Sequence, residues 1–92
     1  MYYLVFFNKA GFYKFKTRSH DHFLATSLKE RARIYKTERE AKKVALATLF
    51  RLQMAGYPYD AWACFRVEDF DTYGIEQVKN LCMFVKEGYF DV

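Results

Sequence analysis

The chain opens on Tyr2 to Phe7, an unbroken run of aromatic, aliphatic and β-branched residues, followed by Asn8, Lys9, Ala10 and Gly11. A short apolar run closed by turn-forming residues predicts a buried central strand and a hairpin turn. From Phe12 to Arg18 apolar and cationic residues alternate, and period two puts Tyr13, Phe15 and Thr17 on one face with Lys14, Lys16 and Arg18 on the other. A second strand is expected there. Ser19 to Lys29 has little pattern and reads as a loop or a broken strand around Phe23, Leu24 and Ala25. Alternation returns over Glu30 to Lys36, with Ala32 and Ile34 on one side and Arg31, Arg33 and Tyr35 on the other, which predicts a third strand.

Thr37-Glu38-Arg39-Glu40 is the sharpest local signal: an N-cap threonine with a glutamate three residues on can satisfy the orphan amides of a helix start. Ala41, Val44, Ala45, Thr48, Leu49 and Leu52 then recur at helical spacing, and Gly56 followed by Pro58 supplies a stop. Leu46 and Phe50 fall off this stripe, so they either widen the apolar face or make a second contact. Ala61 to Val67 alternates again and predicts a fourth strand. After Asp71 or Thr72 as N-cap, Ile75, Val78, Leu81, Cys82 and Val85 recur at helical spacing up to Gly88, giving a second helix or, failing that, a short final strand. The expected class is α+β: a small antiparallel sheet in the order β-β-β-α-β-α with helices packed on one face.

At 92 residues, the chain suits a single domain spanning residues 1–92, with one core and no room for a doubly wound nucleotide fold or an eightfold barrel. The apolar run Tyr2 to Phe7 is six residues, seven with Met1, against roughly 20 for a bilayer span or roughly 7 to 15 for a signal-peptide core. No membrane partner is expected, and with Cys64 and Cys82 read as reduced thiols the expected location is the cytoplasm. The net charge of +4 divides unevenly. Met1 to Arg51 carries twelve Lys/Arg against four carboxylates, or +8, whereas Leu52 to Val92 carries three against seven, or −4.

Catalytic constellations are sparse. The glycines Gly11, Gly56, Gly74 and Gly88 are isolated, so no phosphate-cradling loop is present, and Ser19 and Ser27 lie in no nucleophile elbow. Cys64 on a strand and Cys82 on a helical stripe read as small hydrophobes. His20-Asp21-His22 puts two imidazoles on one face of an extended segment, but a zinc site needs three or four ligands and none of Asp21, Asp60, Asp69, Asp71 and Cys64 stands at a recognised spacing. A small metal-dependent hydrolase using His20 and His22 is therefore the third-ranked reading. Glu68, Asp69 and Asp71 read as a charged strand end that supplies a helix cap. No cofactor and no catalytic residue are expected.

Recognition is what remains. Lys14, Lys16 and Arg18 on one strand face, with Arg31 and Arg33 on another, can merge into a basic patch. Ten Phe, eight Tyr and Trp62 exceed what a small core easily absorbs. Tyr57, Tyr59 and Trp62, like Tyr89 and Phe90, fall in expected loop or edge positions, where they either form the rim of an aromatic core or anchor an interface.

The segment Ala32 to Lys43 resembles a pattern found in small orphan proteins of bacteriophages and mobile elements, in which a strand or hairpin leads through a basic-hydrophobic-aromatic element and a capping box into a helix. The resemblance extends over Tyr2 to Glu68, with its specific part in about a dozen residues. Some such proteins are anti-CRISPR inhibitors that block a host nuclease complex by binding it stoichiometrically. The resemblance implies a scaffold and no transferable site residue, and a +8 N-terminal half departs from the acidic, DNA-mimicking inhibitors. The expected function is that of a non-enzymatic, phage-type binding protein that inhibits or modulates a host protein or nucleoprotein complex. Lys14, Lys16, Arg18, Arg31 and Arg33 would steer and pair, while Tyr35, Tyr57, Tyr59 and Trp62 would anchor. The alternative is a nucleic-acid-binding module without sequence specificity, and the aromatic excess also suits a homodimer.

Overall fold

The computed structural model describes residues 1–8, 10–18, 24–80, 83–84 and 90–91. Strand β1 (Tyr2–Phe7) is the centre of an antiparallel sheet. Along one edge it pairs over its full length with β5 (Ala61–Arg66), from Tyr2 opposite Arg66 to Phe7 opposite Ala61. The other edge is shared by β2 (Tyr13–Lys16), which pairs with Val5 to Phe7, and β4 (Ile34–Tyr35), which pairs with Tyr2 and Tyr3. Strand β3 (Ala25–Thr26) extends the sheet beyond β2. Asn8 makes the first hairpin turn by accepting hydrogen bonds from the amides of Ala10 and Phe12 on its side-chain oxygen, both at 3.0 Å. Gly11 there takes a φ of 91°, a conformation that costs a residue with a Cβ.

Helix α1 (Glu38–Met54) starts where the capping threonine predicts, with Thr37 Oγ1 accepting from the Glu40 amide at 3.2 Å. It ends in a Schellman motif: the Gly56 amide donates to Gln53 O and the Tyr57 amide to Leu52 O, each at 3.0 Å, with Gly56 at φ 90°. Helix α2 (Val67–Tyr73) follows β5 without a loop, and Gly74 separates it from α3 (Ile75–Asn80). Short strands β6 (Met83–Phe84) and β7 (Phe90–Asp91) pair with each other.

The α+β class with an antiparallel sheet is what the sequence predicts, but three local expectations change. The helices do not share a face. Tyr3, Val5 and Phe7 point to a core closed by Phe70 and Val67 of α2 and Ile75 of α3, whereas Leu4 and Phe6 point to a core closed by Ala41, Ala45, Leu49 and Leu52 of α1. The expected third strand over Glu30 to Lys36 is interrupted: Lys29–Arg31 forms a 3-10 turn through amide bonds back three residues, Ala32 bridges Thr17, and only Ile34 and Tyr35 pair as a strand. An unexpected helix, α2, precedes the expected one, which begins at Ile75 as α3 after the break at Gly74; Glu68 and Asp69 favour the first turn of α2 and Asp71 lies inside it rather than capping α3. The expected continuation of α3 through Leu81, Cys82 and Val85 to Gly88 lies outside the described residues. Among the described residues no helix is long and apolar enough to cross a membrane.

The α2-side core is held by aromatic edges. Phe70 meets Tyr3, Phe15 and Phe65 at ring-centroid separations of 5.4, 5.2 and 5.9 Å. Phe70→Ala is expected to cost about 3–5 kcal/mol in urea unfolding. Phe50→Ala, on the solvent side of α1, is expected to stay within about 0.5 kcal/mol. A similar loss in both variants would contradict the two-sided packing.

Candidate binding cleft

The cationic row of β2 lies on the α1 face of the sheet, since Lys14 stands opposite Phe6. Helix α1 does not cover β2 and β3 fully, and the Schellman turn at its C-terminus brings the chain back past them. The result is a cleft of about 580 Å³ between β2, β3 and the end of α1. Three cations reach it from separate elements: Lys14 from β2, Arg31 from the 3-10 turn and Arg51 from the last turn of α1. Leu24, Leu28 and Leu52 supply apolar wall, and none of the described residues that line the cleft is a carboxylate. Tyr57 stands at its rim, 45% exposed, with the Lys14 ammonium 5.7 Å from the ring centroid. The hydrogen bond from Gln53 Nε2 to Tyr59 O, at 2.9 Å, pins the returning chain to the helix.

The remaining sequence-predicted cations are divided. Lys16 donates to the Thr17 carbonyl at 2.8 Å and is half-buried. Arg18 and Arg33 line a different surface depression, of about 630 Å³, together with Lys29 and Glu30. Arg18 donates to the Glu30 carbonyl, and the Arg33 guanidinium sits 5.1 Å from the centroid of the Tyr35 ring. The five cations therefore form no single patch. Arg51, which completes the cleft, was not singled out by sequence pattern; its signal is its place on the helix wheel, between the buried stripe and the outer face.

Three of the four expected aromatic anchors are in the core. Tyr35, Tyr59 and Trp62 are buried with Leu4, Phe6 and the inner face of α1. Trp62 stands opposite Phe6 on the second buried face of the sheet, so a position expected at an edge is interior. Burial raises the phenol pKa of both Tyr35 and Tyr59, although Arg33 opposes the shift at Tyr35. Tyr57 alone of the four presents a large exposed ring.

The acidic and thiol candidates have structural surroundings. Asp71 is no helix cap: it accepts from the Tyr3 hydroxyl at 3.2 Å and pairs with Lys29 at 3.0 Å, tying α2 to β1 and to the 3-10 turn. Glu68 and Asp69 stand in the first turn of α2. The Cys64 thiol is pushed up to about 12, first by burial and then by Glu38, with Lys42 acting against the shift, which keeps it protonated at neutral pH. Cys82, Tyr89, His20, Asp21 and His22 lie outside the described residues, among which no group of three His, Cys, Asp or Glu is placed to hold a metal.

The Tyr3 phenol is pushed from 10.0 up to about 12, by burial first, then by the Asp71 charge, then by the hydrogen bond to it. The folded phenol thus keeps its proton to higher pH than the unfolded one. Its contribution to stability is complete below pH 10 and is lost as pH rises through about 12. Urea unfolding at a series of alkaline pH values is expected to show that decline, and Tyr3→Phe is expected to lessen it, leaving the part that the raised Cys64, Tyr35 and Tyr59 groups contribute. An unchanged slope would remove Tyr3 as its source.

Comparison with known proteins returned no matching family model, no matching curated protein and no matching solved structure.

Proposed function

We propose that this chain is a non-enzymatic binding protein that inhibits or modulates a larger host machine by occupying an acidic protein surface with the cleft between β2, β3 and the end of α1. One observation carries the reading: Lys14, Arg31 and Arg51 converge from three elements on a cleft that has no carboxylate among its described lining residues. Cations gathered without counter-charges raise the local positive potential, which speeds encounter with an acidic partner and rejects basic ones. Tyr57 beside them supplies the amphipathic ring that protein interfaces favour. The resemblance to phage-encoded inhibitors gives the partner class and the location, a protein or nucleoprotein complex in the cytoplasm of a bacterial host.

The nucleic-acid alternative is less well served by the same geometry. Single strands are held on exposed aromatic platforms. Here helices cover both faces of the central strand, and Tyr35, Tyr59 and Trp62 are interior.

A fluorescently labelled glutamate-rich peptide and a labelled single-stranded oligonucleotide, compared by anisotropy, test the reading. The peptide is expected to bind wild type and to lose binding in the variant carrying Lys14→Glu, Arg31→Glu and Arg51→Glu, with the circular dichroism spectrum unchanged. Tighter binding of the oligonucleotide, falling linearly with log salt concentration, would transfer the function to nucleic acid. Peptide binding that survives the triple reversal would remove the cleft.

A further inference from the structure

Arg31 reaches the cleft from a 3-10 turn that has little of its own to hold it. The turn Lys29–Arg31 is three residues long, none of them is buried, and Leu28 before it supplies no capping side chain. Its internal bonds run from the Arg31 amide to the Leu28 carbonyl at 3.0 Å and from the Ala32 amide to the Lys29 carbonyl at 3.1 Å. One 3-10 turn has poor hydrogen-bond geometry, and without an apolar side chain in a core it gains nothing from packing. The place of Arg31 therefore depends on ties between the turn and its surroundings.

Beyond the turn these ties are main-chain: the Arg33 amide donates to the Lys16 carbonyl at 2.8 Å, and Ala32 bridges Thr17. On the turn they come from side chains. Arg18 donates to the Glu30 carbonyl, and the Lys29 ammonium meets Asp71 Oδ1 at 3.0 Å. With side chains 49 and 40% exposed, a lysine–carboxylate pair is ordinarily worth little, because two mobile groups must be ordered to form it. Asp71 is ordered already. The Tyr3 hydroxyl donates to it at 3.2 Å, and the Tyr3 ring is buried against Phe15 and Phe70, with centroids 5.2 and 5.4 Å away. Phe70, the neighbour of Asp71 on α2, belongs to the same core. Lys29 is thus tied to a fixed post. The post stands away from the cleft: Lys29 and Tyr3 line the other depression, while Leu28 and Arg31 line the cleft.

We infer that Tyr3, Asp71 and Lys29 form a brace that positions Arg31, so that a carboxylate outside the cleft strengthens the cleft's hold on an acidic ligand. The inference rests on the acid-binding role of the cleft and adds the residues that set its geometry. Asp71 and Tyr3 act through the turn and touch no ligand. The direct effect of the Asp71 charge has the opposite direction, since a carboxylate on the protein repels an acidic ligand and its removal alone would tighten binding.

That opposition makes Asp71→Asn the informative variant, because asparagine still accepts from the Tyr3 hydroxyl while the ion pair to Lys29 is lost. Although the protein becomes more positive, the labelled glutamate-rich peptide is expected to bind Asp71→Asn about threefold more weakly than wild type. In an Arg31→Ala background the same substitution is expected to cause no weakening, which is the coupling a positioning role requires. Tyr3→Phe, which changes no charge at neutral pH, is expected to weaken the peptide in the same direction. Amide exchange followed by NMR supplies a readout that needs no ligand: the Arg31 and Ala32 amides are expected to exchange about threefold faster in Asp71→Asn, and the Gly56 amide at the other end of the cleft to be unchanged. Unchanged or tighter peptide binding in Asp71→Asn, an equal loss in the Arg31→Ala background, or unaltered exchange at Arg31 and Ala32 overturns the inference. Unchanged binding in Tyr3→Phe removes the hydroxyl from the brace. Failure of the peptide to bind wild type is a different result, which removes the acid-binding cleft itself, and the exchange rates still decide whether the brace holds the turn.

Discussion

Burial of β1 on both faces is the constraint from which the rest of this structure follows. Every residue from Tyr3 to Phe7 is interior, and because strand side chains alternate, that requires cover on both sides of the sheet. Helix α1 covers Leu4 and Phe6, and α2 with the start of α3 covers Tyr3, Val5 and Phe7. Pairing of β1 with strands at both edges also satisfies its backbone, which burial makes obligatory. A strand so enclosed organises a small chain: its partners β2, β4 and β5 come from separate regions of sequence, and each is followed or preceded by a segment that must return over one face.

Two-sided cover explains where the aromatic residues went. Phe15, Phe65 and Phe70 fill one layer with Tyr3, and Tyr35, Tyr59 and Trp62 fill the other. Asp71 joins the first layer to the surface by serving the Tyr3 hydroxyl and Lys29 together, so a buried phenol is satisfied and α2 is fixed against β1. Among the described residues the core takes nine of the aromatic rings and leaves Phe12, Phe50, Tyr57 and Tyr73 exposed. Tyr57 stands just beyond α1, where the cations of the cleft meet the helix end at Arg51.

The cleft itself is a by-product of unequal lengths. The sheet is wider than α1 can cover, and β2 and β3 carry Lys14 and its neighbours on the uncovered margin. At that margin the Lys14 ammonium stands 5.7 Å from the centroid of the Tyr57 ring.

Local signals were legible wherever short-range physics decides. The run Tyr2 to Phe7, the turn at Asn8 and Gly11, the Thr37 cap, the inner stripe of α1 and the stop at Gly56 all depend on neighbours within a few residues, and each forms as its pattern predicts. Strand alternation told correctly which residues of β2 share a face, but not over Glu30 to Lys36, where a 3-10 turn breaks the strand and parts Arg31 from Arg33. It could not tell whether the second face is wet or covered, because that depends on where α1 and α2 pack, and a residue such as Trp62 or Tyr35 reads the same in either case. The basic residues were visible as a count and as rows, yet Lys14, Arg31 and Arg51 meet only because three elements distant in sequence converge, while Arg18 and Arg33 are carried to another depression. Sequence by itself determined β1, β2, α1 and β5 and the inward stripe of α1, since these follow from periodicity and capping. Tertiary structure alone decided the two-sided core and the membership of the cleft, since both depend on contacts between segments whose spacing along the chain carries no record of their distance in space.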